Sequence, residues 1–315
     1  MADSDRHVGV GSFVWLKRWD VVCVLVVCVV VLVAFWEVSF GGKTFSTAGN
    51  TVGVQGSEPF PGMPTRFDDP YRIDQGASAW QAEPWAEVVN EAYGEGRLPL
   101  WNPYQGSGAP LAANMQSGAF DPLLLPVNLH PTPLVWDLTT LGAFLLGAVA
   151  MYAFGRVLGL GRLSATVSSV AFALSGTFFL YSNNPFVRSY CFLPVLFLLV
   201  ELVIRSRRLL PVLGLGLATA ANLLLGMPEI SVVVIGMAGT YALVRVIMTR
   251  RTSVVLSAAR TGGGFVLGFM LAAPLLMLLW EYVGQSVHAH TAENAVGLQS
   301  DPTHTILNLL APFFA

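Results

Sequence analysis

The residues of this chain best suited to chemistry are three aspartates that lie close together in a polar stretch. Asp68, Asp69 and Asp74 fall in the run FDDPYRIDQ at 67–75. A carboxylate can act as a general base toward a hydroxyl group, or it can hold a divalent cation as a cofactor. The same pattern is also typical of a solvated turn beside a proline, in which aspartates cap backbone amides. The local sequence leaves both interpretations open.

A second group of residues combines aromatic rings with an amide. Trp101, Asn102 and Tyr104 lie in the run LPLWNPYQGSG at 98–108. Its prolines and glycines exclude a continuous helix and indicate a fixed bend. The rings can present a stacking face to a sugar, and the amide can donate and accept hydrogen bonds. The bend can equally pack on neighbouring helices, and a rigid loop serves both purposes.

Between these two groups the sequence predicts a short helix over 84–93. Pro84 suits its first turn and Gly94 its end. Four glutamates recur at every fourth position and therefore share one face: Glu83, Glu87, Glu91 and Glu95. Since like charges at this spacing repel, we interpret them as a solvated face. Trp80 and Trp85 suit a helix that lies at a membrane surface.

The composition indicates what kind of protein must position these residues. Of the 315 residues, 54% are hydrophobic and only 11% are charged, whereas soluble proteins carry about 25% charged residues. The chain is therefore predicted to be an integral membrane protein. Its net charge of −2 argues against a nucleic-acid partner, because phosphate binding needs a basic surface.

Seven segments approach the roughly 20 mostly apolar residues that a membrane span needs. They are 20–37, 134–157, 164–182, 188–204, 209–226, 230–248 and 262–283. The fold class predicted from them is all-α, a polytopic membrane helix bundle of about seven spans with a long first loop. No small-residue cleavage site follows the first span, so we interpret it as a retained signal anchor.

The basic residues predict the orientation of this bundle. With seven spans, the N-terminus and every second link between spans lie on the same side of the membrane. These segments hold twelve of the 17 lysines and arginines. By the positive-inside rule, the N-terminus is cytoplasmic and the long first loop is outside the plasma membrane. The cytoplasmic links are too short to form a nucleotide-binding domain.

The predicted organisation follows from these spans. It consists of a cytoplasmic tail at 1–19, the anchor at 20–37, the external loop with short interfacial helices at 38–133, six spans at 134–283 and an external tail at 284–315. Residues 305–315 are apolar and suggest the start of a further span. We expect the chain to be an N-terminal portion of a longer protein or a shortened one.

Two charged residues at predicted outer helix ends are further candidates. Arg188 follows Asn183-Asn184 and can pair with a lipid phosphate. It can equally extend its charged head toward the membrane interface. Glu229 is a functional candidate if it is buried.

Several runs together resemble the YfhO-type bacterial membrane glycosyltransferases of the GT-C class. The resemblance is carried by Asp74 and Gln81, by the run GRLPLWNPY at 96–104, by GAPLA at 108–112, and by Gln116-Ser117. It continues through LSG at 174–176, GMPE at 226–229 and the segment 274–286, in the order of the family. The Trp-Asn-Pro-Tyr part is the most specific.

The resemblance implies a GT-C-like fold that transfers a sugar from a polyprenyl-phosphate donor to an acceptor of the cell envelope. It implies an essential aspartate in the first external loop, for which Asp74 is the first candidate and Asp69 the second. The residues expected to bind substrate are Gln81, Trp101, Asn102, Tyr104, Gln116, Arg188 and Glu229. Membrane lipids are the other expected partners, and the sequence predicts no oligomeric state.

Two other functions remain open from the sequence. A transporter or lipid flippase would place charged residues near the membrane midplane or break its helices. The predicted mid-span segments are apolar apart from Asn222. A non-catalytic membrane scaffold is the third possibility.

Overall fold

The computed structural model describes residues 18–46, 78–182, 184, 187–248 and 254–285, and this part of the chain is mostly helical. Its helices are α1 (Arg18–Ala34), α2 (Trp36–Ser39), α3 (Glu83–Gly94), α4 (Leu125–Leu129), α5 (Pro133–Leu158), α6 (Arg162–Ala173), α7 (Gly176–Leu180), α8 (Val187–Arg205), α9 (Leu210–Leu224), α10 (Pro228–Met248) and α11 (Val254–Gln285). Two short strands, β1 (Trp101–Asn102) and β2 (Ala109–Pro110), pair in antiparallel fashion.

Four of the helices in the described ranges are long and apolar enough to cross a membrane, namely α5, α8, α10 and α11. This confirms the prediction of a helical, multi-pass membrane protein. The remaining predicted spans are also helical but shorter, with 17 residues in α1, 12 in α6 and 15 in α9. A total of seven spans stays a prediction.

The segment predicted as one span over 164–182 differs from the structure. The helix α6 ends at Ala173, and α7 begins only at Gly176. Between them Ser175 adopts an extended backbone conformation, with φ −65° and ψ 148°. Hydropathy does not detect this break, because the residues around it are small or apolar.

The long helix α8 is the centre of the bundle. It packs against α5, α9, α10 and α11. Its residues Leu196 and Val200 are fully buried in a cluster with Leu215 of α9 and Val234 of α10. On the other side of α5, α1 and α6 complete the bundle, where the rings of Phe35 and Phe144 stand 5.0 Å apart.

The contact between α9 and α11 depends on glycines. A Cβ atom on Gly268 would lie 2.4 Å from the Cβ atom of Thr219, and one on Gly264 would lie 2.9 Å from Leu215. Side chains larger than hydrogen would therefore push the helices apart. Gly264 and Gly268, four positions apart in α11, thus form a helix-packing surface, a role that small residues at this spacing commonly have.

The two ends of the bundle differ in chemistry. At one, called the loop end here, residues 40–46 and 78–132 contact the first turns of α5 and α8 and the turn that precedes α10. At the other, called the arginine end, several arginines surround the buried carboxylates of Asp20 and Glu201. The candidate site lies at the loop end.

Candidate functional site

The helix α3 forms one wall of the site. It begins at Glu83 with Pro84 in its first turn, which confirms the predicted helix. Trp85 and Val89 bury the apolar face of α3 against Leu111 and Ala119. It ends at Gly94, as predicted, and Gly96 takes the left-handed conformation two residues farther on, with φ +69°.

The opposite face of α3 borders a cleft of about 800 Å³. Glu83, Glu87 and Glu91 line it together with Asn90 and Tyr104. The facing wall consists of residues at the end of α4 and the start of α5: Val127, Pro131, Thr132, Pro133 and Trp136. The row of glutamates therefore faces a cleft, and Glu87 and Glu91 are exposed, as the interpretation of a solvated face predicts.

Hydrogen bonds fix the distance between the two walls. Asn90 donates from Nδ2 to the carbonyl oxygens of Asn128 at 3.1 Å and Leu129 at 2.7 Å. On the buried side, Tyr93 donates its hydroxyl to the carbonyl oxygen of Ala119 at 2.8 Å. Both faces of α3 are thus tied to the segment that leads into α5, which gives the cleft a defined width.

A short extended segment closes one side of the cleft. The Thr44 hydroxyl and the Phe45 amide both donate to Oδ1 of Asp137, at 2.9 and 2.7 Å. The next residue, Ser46, donates its hydroxyl to Oε2 of Glu83 at 2.7 Å and lines the cleft. Three consecutive residues therefore join carboxylates on α3 and α5.

The Trp-Asn-Pro-Tyr bend is stabilised by its own backbone. Trp101 pairs with Pro110, and Asn102 with Ala109. Oδ1 of the buried Asn102 accepts a hydrogen bond from the amide of Tyr104 at 2.9 Å, which fixes the turn as Asn side chains commonly do. The bend is a rigid element, as its prolines and glycines predict.

Glycine is required at the position directly before β2. Gly108 has φ +102°, and a Cβ atom on it would lie 2.6 Å from the indole ring of Trp101. The ring therefore lies flat over the glycine backbone, while more than half of Trp101 stays exposed. An exposed ring held in this way is a surface on which a sugar can stack.

Tyr104 joins the bend to the glutamate row. Its hydroxyl donates to both carboxylate oxygens of Glu91, each at 2.9 Å. This hydrogen bond to an anion raises the pKa of Tyr104 above its ordinary value, and the negative charge of Glu91 adds to the effect. The phenol therefore stays a hydrogen-bond donor at neutral pH.

A second, smaller cleft of about 290 Å³ adjoins the first. Tyr104, Pro84 and Val88 line both. The rest of its lining combines two indoles with three amides, from Trp80, Trp85, Gln81, Asn102 and Gln105. Three of the predicted substrate-binding residues, Gln81, Asn102 and Tyr104, are thus brought together here.

The other predicted substrate-binding residues lie elsewhere at the loop end. Trp101 lines neither cleft. Gln116 and Glu229 are exposed. Gly226, which has φ +85° and precedes Glu229 by three residues, packs against the backbone of Met115 and Gln116.

Arg188 is buried rather than directed to the surface. Its Nε donates to Oδ2 of Asp121 at 3.0 Å, and both side chains are almost completely closed to solvent. Oδ1 of Asp121 accepts from the amides of Leu123 and Leu124, at 2.7 and 3.1 Å. The structure therefore gives Arg188 a partner within the protein, in place of the interface position considered from the sequence.

The two candidate catalytic aspartates, Asp69 and Asp74, lie outside the described residues. The described chain stops at Ser46 and resumes at Ser78. Ser46 and Ala79, on either side of this gap, both line the larger cleft. Described residues next to both sides of this gap therefore border the larger cleft.

The described residues favour binding of a polar, uncharged or cationic ligand. Among the described residues that line the larger cleft are three glutamates and no lysine or arginine, so the charge of these residues opposes an anion. Carboxylates and amides beside aromatic rings suit the hydroxyl groups and apolar faces of sugars. Within the ranges described, no group of three or more histidines, cysteines, aspartates or glutamates is arranged to hold a metal ion.

Sequence reasoning missed the structural roles of Asp121 and Asp137. Neither belongs to a motif, and their partners Arg188 and Phe45 are far away in the sequence. The regular spacing of the glutamates was a usable signal for the cleft wall.

Comparison with known proteins finds no matching family model, no matching curated protein and no matching solved structure.

Proposed function

We propose that this chain is a membrane glycosyltransferase of the YfhO type. It moves a sugar from a polyprenyl-phosphate donor to an acceptor of the cell envelope, on the extracytoplasmic side of the plasma membrane. In this proposal the fold is GT-C-like with seven spans. The N-terminus is cytoplasmic and the loop end is external.

The observation that carries the proposal is the pair of adjoining clefts at the loop end. They share Tyr104, and they combine an acidic wall with indole and amide groups. A sugar offers hydroxyl groups to carboxylates and amides, and it offers its C–H face to aromatic rings. A loop-end position beside apolar helices also suits a substrate that is attached to a lipid.

The catalytic base in this proposal is Asp74, with Asp69 as the second candidate. Asp74 precedes Ser78 by four residues, and Ala79 lines the larger cleft. The base takes the proton of the acceptor hydroxyl as that oxygen attacks the anomeric carbon of the sugar, and the bond from this carbon to the phosphate oxygen breaks, so that polyprenyl phosphate leaves as an anion.

A transfer assay tests the proposal. Membranes containing the protein are given a labelled polyprenyl-phosphate sugar, and loss of label from the lipid is followed. Asp74→Asn is expected to reduce transfer about 10²- to 10⁴-fold, the usual effect of losing a general base. Glu87→Gln is expected to weaken binding. Glu95→Gln is the matched control, because Glu95 is exposed, pairs with Arg97 and lines neither cleft.

Two outcomes would contradict parts of this proposal. Full transfer by both Asp74→Asn and Asp69→Asn would remove them as candidate bases. No transfer by the wild-type protein from any of a panel of polyprenyl-phosphate sugars would reject the enzyme and favour a transporter or a scaffold. Movement of the intact lipid across the membrane of the same vesicles would then indicate a transporter, and no movement would indicate a scaffold.

A further inference from the structure

The arginine end carries two clusters of the same design. In the first, the carboxylate of Asp20 on α1 is buried. The hydroxyl of Tyr152 and Nε of Arg156, both on α5, donate to its Oδ1 at 2.9 Å each. Arg162, the first residue of α6, brings its Nε to 3.3 Å from the same oxygen.

The second cluster surrounds Glu201 on α8, whose side chain is fully buried. The hydroxyl of Tyr241 on α10 donates to its Oε1 at 2.7 Å. Arg245, also on α10, donates through Nε and, at 3.0 Å, through Nη2. Arg205, one turn farther along α8, donates from Nε at 2.8 Å.

The sequence shows the same repetition. Residues 152–157 read YAFGRV and residues 241–246 read YALVRV, with a glycine five positions before each tyrosine. A tyrosine and an arginine four positions apart project from the same face of a helix, so both reach one carboxylate. The recurrence of the motif on two helices, each time against a buried acid, indicates a shared role.

Each cluster contains one carboxylate and two arginines, so each keeps an excess positive charge. The arginines divide by exposure. Arg156 and Arg245 have 21% and 27% of their side chains exposed, whereas Arg162 and Arg205 have 38% and 46%. The first two serve mainly to neutralise the acid. The second two leave more of their side chains accessible to another partner.

The surroundings of these arginines are those of a membrane surface. Leu163 follows Arg162 and is 78% exposed, and Leu209 at the start of α9 is 72% exposed. Exposed leucines suit acyl chains, while arginines beside them suit the headgroup layer. Among the described residues of this end, Asp20 and Glu201 are the acids, so these residues together carry an excess of positive charge.

We propose that Arg162 and Arg205 bind the phosphate groups of anionic phospholipids in the leaflet at the arginine end. The two sites are independent of the clefts at the loop end and of the activity proposed for them. Arginine is suited to this role because its planar fork can donate two hydrogen bonds to one phosphate. Arg156 and Arg245 hold the clusters together.

Lipid binding by the purified full chain tests this proposal. The protein is reconstituted in phosphatidylcholine, and its affinity for added fluorescent phosphatidylglycerol is compared with that for fluorescent phosphatidylcholine. Each arginine at an anionic surface contributes roughly fivefold in affinity. The Arg162→Gln/Arg205→Gln variant is therefore expected to lose about fivefold of its affinity for phosphatidylglycerol at each of the two sites. Its affinity for phosphatidylcholine should not change.

Matched variants separate lipid binding from a structural effect. Arg97→Gln, at the loop end, should keep the preference for phosphatidylglycerol. Arg162→Lys/Arg205→Lys should keep most of it, because the charge remains. Arg156→Gln should lower the unfolding temperature equally with and without phosphatidylglycerol, because it removes a partner of buried Asp20.

If the double glutamine variant does not fold, measurements on the wild-type protein still test the proposal. Binding should weaken at high salt, which screens charges, and inorganic phosphate should not displace the lipid. A wild-type protein with no preference for phosphatidylglycerol at low salt would overturn the proposal. A folded double glutamine variant that binds like wild type would also overturn it. Displacement of the lipid by inorganic phosphate at low concentration would overturn it too, because it would assign the sites to free anions.

Discussion

Arg188 and Asp121, which are 67 residues apart in the sequence, form an ion pair closed to solvent on both sides, with 3.0 Å between Nε and Oδ2. The pair joins the first turn of α8 to the loop that precedes α4. Oδ1 of Asp121 is also occupied, by two backbone amides. This carboxylate thus organises the loop and holds it against the bundle at the same time.

Breaking this pair should destabilise the protein strongly. Arg188→Met leaves the buried carboxylate of Asp121 without its cation, and removing one member of a buried pair typically costs about 3–5 kcal/mol. The Asp121→Asn/Arg188→Met double variant should recover part of that loss, because no unpaired charge remains. Unfolding of the detergent-solubilised protein checks both. A coupling free energy near zero in the double-mutant cycle would show that the pair contributes little.

The pairing of Arg188 with Asp121 is a part of the site that could not be predicted from the sequence. Charged residues at helix ends are visible in the sequence, and Arg188 was a candidate for that reason. Its partner could not be identified, because burial and pairing depend on how a distant loop folds back. Asp137 and its donors Thr44 and Phe45 are a second such case, for they also meet across a long stretch of chain.

Helices were more predictable because their signals are local. The prediction of 230–248 nearly matches α10, which runs from Pro228 to Met248. The prediction of 262–283 misses the first part of α11, which begins at Val254. The polar residues Ser257 and Arg260 lower the hydropathy there, although the helix continues through them. The wall opposite the glutamates of α3 was not predictable, since α5 contributes it from elsewhere in the chain.

Gly108→Ala should distort the Trp-Asn-Pro-Tyr bend. The backbone at this position has φ +102°, and the new Cβ atom would lie 2.6 Å from the Trp101 ring. Such a strained conformation costs about 1–3 kcal/mol. The bend should become more sensitive to proteases, and the fluorescence of Trp101 should change. Gly94→Ala is the control, because nothing lies within 4 Å of its new Cβ atom; equal sensitivity in both variants would contradict the prediction.

Asp137→Ala should loosen the attachment of residues 44–46 to α5. This change removes the acceptor for the Thr44 hydroxyl and the Phe45 amide. A buried amide that loses its partner costs about 1–3 kcal/mol. Hydrogen exchange at residues 44–46 should therefore speed up, while exchange within α8 stays slow. Lys43→Ala is a suitable control, since its exposed pair with Glu37 should contribute little.

Under the proposed function, two changes at Tyr104 should have different effects. Tyr104→Phe keeps the ring but loses the hydrogen bond to Glu91, so it should lower kcat/KM only slightly. Tyr104→Ala also removes a wall of both clefts. Loss of an aromatic contact corresponds to a decrease of up to about tenfold. Equal losses for both variants would assign the role to the hydroxyl group rather than the ring.

The packing of α9 on α11 yields a stability prediction that is independent of any function. Gly268→Ala would place a Cβ atom 2.4 Å from that of Thr219 and 2.8 Å from the carbonyl oxygen of Gly216. Overpacking of this kind costs about 1–3 kcal/mol, and backbone on one side leaves little room to relax. Gly262→Ala in the same helix meets nothing within 4 Å and should be neutral or stabilising, because alanine favours helix. Unfolding temperatures in detergent that fall equally for both variants would show that helix propensity, rather than this contact, determines the effect.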